Sequence, residues 1–300
     1  MIPPPLLKPG DMIGIVGTAR KLTYDDIQPC LERLKSWGLK INMGKHLFSA
    51  HDQYAGSDWQ RAHDFQYMLD HKEVKAILCA RGGYGTLRIL DQIKINPTTP
   101  KWIIGFSDIT ALLIQAFNAG IESIHGPMAK SFNMEFATPM TLEYLRRLLM
   151  DTGSQRYIFN VDRPDLGRTG KATGRLIGGN LSILSQLLGT RTDFSTEKCI
   201  LFFEDLDEYM YSLDRMVVHL RRGGKFDKLA GLMVGGLTMM KENGEPFGKD
   251  PYEIVADAVK EFDFPTVYGF PVGHWDTNFP LPLGREVTLK VSHTHVELEL

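Results

Sequence analysis

Val74-Lys-Ala-Ile-Leu-Cys79 runs straight into Ala80-Arg-Gly-Gly-Tyr-Gly85, and residues 86–93 then read as a helix. A second apolar run, Trp102-Ile-Ile104, leads through Gly105-Phe106-Ser107 to Asp108-Ile-Thr-Ala-Leu-Leu-Ile-Gln-Ala-Phe117, a helical stretch stopped near Gly120. Short apolar strands alternating with helices predict a parallel sheet covered on both faces. The alternation extends toward the N-terminus. Met12-Ile-Gly-Ile-Val16 is a strand candidate, residues 25–37 carry apolar side chains at helical spacing, and Lys40-Ile-Asn-Met43 returns as a strand. Ser57-Asp58 has the character of a helix start and leads into residues 59–69. The predicted fold class is α/β.

Toward the C-terminus, Asp151-Thr-Gly-Ser and Asp162-Arg-Pro-Asp-Leu-Gly-Arg-Thr-Gly170 are rich in turn residues. A single core usually stops growing at roughly 250–300 residues, so two domains are expected. The boundaries that follow are an N-terminal α/β domain over 1–155, a linker over 156–169 and a second α/β domain over 170–300. In the second domain Gly174-Arg-Leu-Ile-Gly-Gly-Asn180 leads into a helix at 181–188. Cys199-Ile-Leu-Phe-Phe203 is a strand and 212–220 an amphipathic helix. Leu232-Met-Val234 and Thr266-Val-Tyr268 are further strands around a helix at 254–262, and alternating residues at 286–291 and 294–300 predict a terminal hairpin.

Composition narrows the function classes. The 300 residues are 43% hydrophobic and 23% charged, which excludes collagen-like, disordered and disulfide-framework chains. Lys+Arg 34 against Asp+Glu 36 gives a net charge of -2, so no bulk attraction to nucleic acid or anionic lipid is expected. No apolar run approaches the ~20 residues that span a bilayer, and the start does not read as a secretory signal. Cys30, Cys79 and Cys199 are odd in number and far apart, which suits a reducing, cytoplasmic compartment and argues against a Cys-based metal site.

Three polar residues share one placement. Ser107 follows the strand ending near Phe106, Glu204 follows Phe203, and His274 comes shortly after the strand ending near Phe270. Sites in open parallel sheets gather outside the carboxyl ends of strands. A serine, an acid and a histidine there supply a nucleophile, an orienting carboxylate and a general base. The turn at Ser107 resembles Gly-x-Ser-x-Gly with Ile109 at the second glycine position, and the backbone N–H of Asp108 would face an oxyanion. Taken alone, the segment reads more simply as a serine capping a helix.

The loop Arg81-Gly-Gly-Tyr-Gly85 lets the backbone approach an oxyanion or a phosphate, or is a plain tight turn. Gly14-Ile-Val-Gly17 lacks the third glycine of a nucleotide fingerprint. The acids Glu204-Asp205-Leu-Asp207-Glu208 have no histidine pair beside them, and no His-x-x-x-His lies on a helix, so no metal is expected. His293-Thr-His295 reads as a solvated pair, His219 as packed or exposed, and His125 as structural.

Together these segments resemble the LD-carboxypeptidase family, the serine peptidases that remove terminal D-alanine from muropeptide tetrapeptides, with the related microcin C immunity hydrolases. Lys8-Pro-Gly-Asp-Met-Ile-Gly-Ile15, Tyr54-Ala-Gly-Ser-Asp58 with Arg61, the Ala80–Gly85 loop and Gly105-Phe-Ser-Asp-Ile-Thr110 carry the resemblance in the first half. His125-Gly-Pro127, Gly174–Asn180, Phe203-Glu-Asp205, Gly273-His274 and Pro280-Leu-Pro-Leu-Gly284 carry it in the second. Val16-Gly-Thr-Ala-Arg20 departs from the Pro-Ser-type turn that relatives often have there.

The resemblance implies a Rossmann- or flavodoxin-like N-terminal domain, a smaller C-terminal α/β domain and an interdomain active site, commonly in a homodimer. It implies a triad of Ser107, Glu204 and His274 acting on the L-centre–D-Ala bond of a muropeptide, with no cofactor. Gly83 and Asp108 N–H groups would hold the oxyanion, and Arg81 is a candidate for the substrate carboxylate. Two other readings fit the residues. One is a hydrolase of aminoacyl or peptidyl nucleotides, with Trp275 as a base shelf or a packing residue. The other is a non-catalytic module binding a nucleotide or sugar phosphate.

Overall fold

The computed structural model describes residues 1–133, 137–275 and 277–300. In chain order the first elements are β1 (Met12–Val16), α1 (Gln28–Ser36), β2 (Lys40–Met43), α2 (Asp58–Asp70), β3 (Val74–Cys79), α3 (Thr86–Ile89), β4 (Trp102–Gly105), α4 (Thr110–Asn118), β5 (Ser123–His125) and α5 (Pro139–Met150). Then come β6 (Arg156–Asn160), β7 (Gly170–Asn180), α6 (Leu181–Leu187), β8 (Cys199–Leu206), α7 (Met210–Arg222), β9 (Gly231–Thr238), α8 (Pro251–Val259) and β10 (Thr266–Tyr268). The chain closes with β11 (Leu281–Leu283), β12 (Glu286–Val291) and β13 (His295–Glu299). No helix among the described residues is long and apolar enough to cross a membrane.

The chain divides into two compact units, Met1–Gly153 with Asp276–Gly284, and Ser154–Trp275 with Arg285–Leu300. The first is built on a six-stranded sheet of order β11-β5-β4-β3-β1-β2. Strands β1 to β5 are parallel and β11 pairs antiparallel with β5. The run β2-β1-β3-β4-β5 is the flavodoxin-like order, whose switch point lies between β1 and β3. Both sheet faces are covered, which is why these strands are apolar throughout: β4 and the last four residues of β3 are buried. Helix α2 begins with a reciprocal cap in which Ser57 Oγ accepts from Gln60 N and Gln60 Oε1 accepts from Ser57 N.

The second unit holds a seven-stranded sheet of order β10-β9-β8-β7-β12-β13-β6. Strands β7 to β10 are parallel neighbours joined through α6, α7 and α8, and the remaining three are antiparallel. Helix α8 opens on a second capping box, with Asp250 accepting from Glu253 N and Glu253 accepting from Asp250 N.

Two segments fall outside the expected boundaries. Residues 156–160, read as linker, form β6 at the edge of the second sheet, because their alternation buries Tyr157 while its neighbours face out. Residues 281–283, read as part of the second domain, return to the first sheet as β11. Pro282 is tolerated there because an edge strand does not need every N–H.

Candidate active site

Ser107 stands two residues past the end of β4, just beyond Phe106, at a backbone φ of 61°. A non-glycine residue in this left-handed region is strained by roughly 1–2 kcal/mol. The capping interpretation does not hold: neither the short 3-10 turn at Ser107–Ile109 nor α4 receives a side-chain cap. The left-handed residue sets a sharp strand-to-helix turn at the serine. Gly105 permits that sharpness, since a Cβ there would lie 2.8 Å from Ile109 Cγ2. Ile109 thus fills the second glycine position by packing on the first glycine.

The glycine loop after β3 lies against this turn. A Cβ on Gly82 would stand 3.3 Å from Ser107 Cβ and 3.4 Å from its Oγ. Gly82 thus comes within contact range of the nucleophile candidate. Gly83 has φ of 107° and instead faces Arg20, whose Cδ would be 2.6 Å from a Cβ there. Asp108 ties the loop to the serine turn, accepting Thr86 N at 2.8 Å through Oδ2. Burial raises the Asp108 pKa, against the hydrogen bonds from Thr86 that favour the carboxylate.

Below the loop, buried Arg61 donates to Thr18 O at 2.7 Å and Gly85 O at 2.8 Å and pairs with Asp58. One guanidinium thereby joins the carboxyl-end loops of β1 and β3. Arg81 donates to Lys21 O at 2.8 Å, so its fork is turned onto backbone. His125 is fully buried in β5 and packs edge-on to Phe106, ring centroids 5.9 Å apart.

On the second unit the structure brings Glu204 and His274 together. Glu204 lies within β8 rather than just past it, at a register shift between Phe203 and Asp205 in the pairing with β9. A bulge of this kind re-aims a side chain. Glu204 Oε2 accepts His274 Nδ1–H at 2.6 Å and His274 N–H at 3.2 Å. Thr238 Oγ1 donates to His274 O at 3.2 Å, so the histidine backbone is held at both ends. Glu204 is fully buried and the His274 side chain is 8% exposed. With Nδ1–H committed to the carboxylate, Nε2 is the basic nitrogen.

Burial disfavours the imidazolium, but the charge and hydrogen bond of Glu204, with Asp205 behind, outweigh it and raise the His274 pKa. Asp205 has a different task. It accepts Asn180 Nδ2 and Ser182 N at the start of α6, and burial with the neighbouring Glu204 charge pushes it up to about 7.

Glycines make room for the pair. A Cβ on Gly273, at φ of 105°, would lie 2.5 Å from Glu204 Cγ and Oε2, and one on Gly235 would lie 3.1 Å from Glu204 Cβ. Gly273→Ala is expected to displace the carboxylate and lower kcat tenfold to a hundredfold while the chain stays folded. Steady-state kinetics beside circular dichroism check this. Trp275 lies against β9, its Nε1 2.8 Å from where a Gly236 Cβ would stand, a packing contact.

Comparison with known proteins agrees with this architecture. Residues 13–126 match the LD-carboxypeptidase N-terminal domain and residues 173–289 match the LD-carboxypeptidase C-terminal domain. A probable murein peptide carboxypeptidase of Bacillus subtilis (strain 168) is 31% identical over 99% of this chain and 94% of that protein. The crystal structure of muramoyltetrapeptide carboxypeptidase from Oxalobacter formigenes aligns with a TM-score of 0.85 at 26% identity, covering 96% of this chain and 98% of that one. MccF in complex with glutamyl sulfamoyl guanosine aligns with a TM-score of 0.85 at 22% identity, covering 98% and 97%, a likeness of fold. These matches set the protein among two-domain α/β peptidases. The chain belongs to the LD-carboxypeptidase family.

Proposed function

We propose that the protein is a serine-type LD-carboxypeptidase that hydrolyses the bond between an L-configured centre and terminal D-alanine in murein tetrapeptides. The observation that carries the reading is the left-handed serine after β4 in a chain that also holds a buried Glu204–His274 pair. The names of the Bacillus subtilis and Oxalobacter formigenes relatives support the substrate. A cytoplasmic location, suggested by the three scattered cysteines, and a homodimer, implied by the family resemblance, go with it.

In this mechanism His274 Nε2 takes the Ser107 proton as Oγ attacks the scissile carbonyl. Glu204 holds the imidazole tautomer and stabilises the imidazolium. The N–H groups of Asp108 and Gly83 receive the oxyanion, each such donor contributing roughly 3–4 kcal/mol. His274 then protonates the departing D-alanine, and water releases the acyl group from Ser107 by the same route in reverse.

The substrate carboxylate needs a cation, and Arg20 suits that role better than Arg81. Arg20 is exposed and its stem lies on Gly83, whereas Arg81 is bonded to Lys21 O. Arg20→Ala is expected to raise KM about tenfold with kcat nearly unchanged, since a charge-assisted hydrogen bond is worth roughly 1.5–3 kcal/mol. Arg81→Ala should change KM less.

The reading is tested by incubating wild-type protein with L-Ala-γ-D-Glu-diaminopimelate-D-Ala and its lysine analogue and following products by mass spectrometry. Stoichiometric D-alanine with the matching tripeptide supports it. Intact tetrapeptide in both cases overturns it.

A further inference from the structure

The loop after β2 and helix α2 bring three metal-ligating side chains together at the edge of the first sheet. His46 lies on the loop, and His63 and Asp64 are neighbours on α2. One donor atom from each lies within 4.8 Å of the other two. Asp64 Oδ1 is 2.8 Å from His46 Nδ1, to which it is hydrogen-bonded, and 3.7 Å from His63 Nδ1, so one carboxylate oxygen lies near both rings. Asp64 Oδ2 accepts the His46 backbone N–H at 2.6 Å, which anchors the carboxylate. Gly44 permits this approach, since a Cβ there would stand 2.5 Å from Asp64 Oδ2.

The surroundings suit an ion. Asp64 is buried while His63 is 47% exposed, leaving one open side for entry and for water ligands. The His46 and His63 rings are 6.1 Å apart and T-shaped. Trp59 stacks on His63 at 4.9 Å and stands edge-on to His46 at 5.9 Å. A separation of 3.7 Å is too long for a hydrogen bond, yet a rotamer adjustment of an exposed ring closes it. Zinc–nitrogen and zinc–oxygen bonds of about 2.0–2.2 Å require donors about 3.3 Å apart in a tetrahedral site.

We propose that His46, His63 and Asp64 bind one divalent transition-metal ion of the zinc class. Two imidazoles and one carboxylate favour zinc, copper or nickel over magnesium or calcium, which prefer all-oxygen sites. The ion takes the place of the proton that His46 Nδ1 shares with Asp64 and ties the loop after β2 to α2. β2 is separated from β4 by β1 and β3, roughly 14 Å across the ladder. Short-range spacing could not reveal it, because His46 and His63 are brought together only when α2 packs on β1 and β3 and meets the loop after β2.

The test is calorimetric titration of untagged, full-length protein with zinc chloride. The competing histidine pair is His293 and His295 in the terminal hairpin. One equivalent bound by wild type, weakened at least tenfold by His63→Ala and unaltered in the His293→Ala/His295→Ala double variant, is the expected result. His63 is exposed, so its replacement leaves the fold intact. Quenching of tryptophan emission by copper(II) gives a second readout through Trp59 and should be lost in His63→Ala. No zinc uptake by wild type at millimolar concentration, equal binding by His63→Ala, or loss confined to the hairpin variant would each overturn the assignment.

Discussion

Ser107→Ala is expected to lower D-alanine release by at least four orders of magnitude while tetrapeptide affinity changes only a few-fold. In the proposed mechanism, removing the nucleophile would eliminate the acyl-enzyme route and leave only binding and the oxyanion donors, and a 10⁴-fold loss corresponds to about 5.5 kcal/mol of transition-state stabilisation. Single-turnover release and equilibrium binding of the unreacted tetrapeptide separate the two effects. Equal release by both proteins would sink the nucleophile assignment. The backbone at this position supplies an independent check. Glycine adopts φ of 61° without a Cβ clash, so Ser107→Gly should abolish release yet raise stability by about 1 kcal/mol. A serine that merely occupied a turn would not pair inactivation with stabilisation.

Glu204→Gln should cost roughly 10⁴ in kcat, because a carboxamide can present N–H to the ring and impose the wrong tautomer. Its pH profile is the sharper test. Imidazolium cannot accept the serine proton, so wild-type kcat/KM should fall as pH drops through the His274 pKa. That pKa lies above its ordinary value of 6.5. Replacing Glu204 removes the charge and hydrogen bond that raise it, leaving burial opposed only by Asp205. The acidic limb of the residual activity should therefore move to lower pH. A limb that stays in place would mean that Glu204 does not address His274 in the working enzyme.

How far the molecule can be read from its residues depends on the range of the interaction concerned. Strands β1, β3 and β4 were legible because burial on both faces demands continuous apolar runs. The same rule pointed to strand exits, and so to Ser107, Glu204 and His274. Local patterning failed where tertiary pairing decides. β6 looks like linker until β13 lies beside it, and Leu281-Pro-Leu283 carries a strand-breaking residue that only an edge forgives. Helix α5 was not anticipated, although Thr138 caps it and Pro139 starts it. By its residues Glu204 reads as one step past a strand that in fact continues through a bulge, a feature set by the neighbouring β9. Gly82 against Ser107, Arg20 against Gly83 and His46 beside His63 are side-chain meetings that no residue spacing announces.

The return of residues 281–283 to the first sheet has a consequence for the order in which the protein is made. When residues 1–153 have left the ribosome, β5 is still the bare edge of its sheet, and the strand that covers it follows only after β6 to β10. At ~5–20 residues per second the interval is of the order of ten seconds. The unit that begins first is thus completed only after the whole of β6 to β10 has been synthesised. Any nascent chain or truncated product ending before 281 presents β5 as an open template for foreign strands. Chaperone occupancy during synthesis should accordingly peak over this interval and fall once Leu283 emerges.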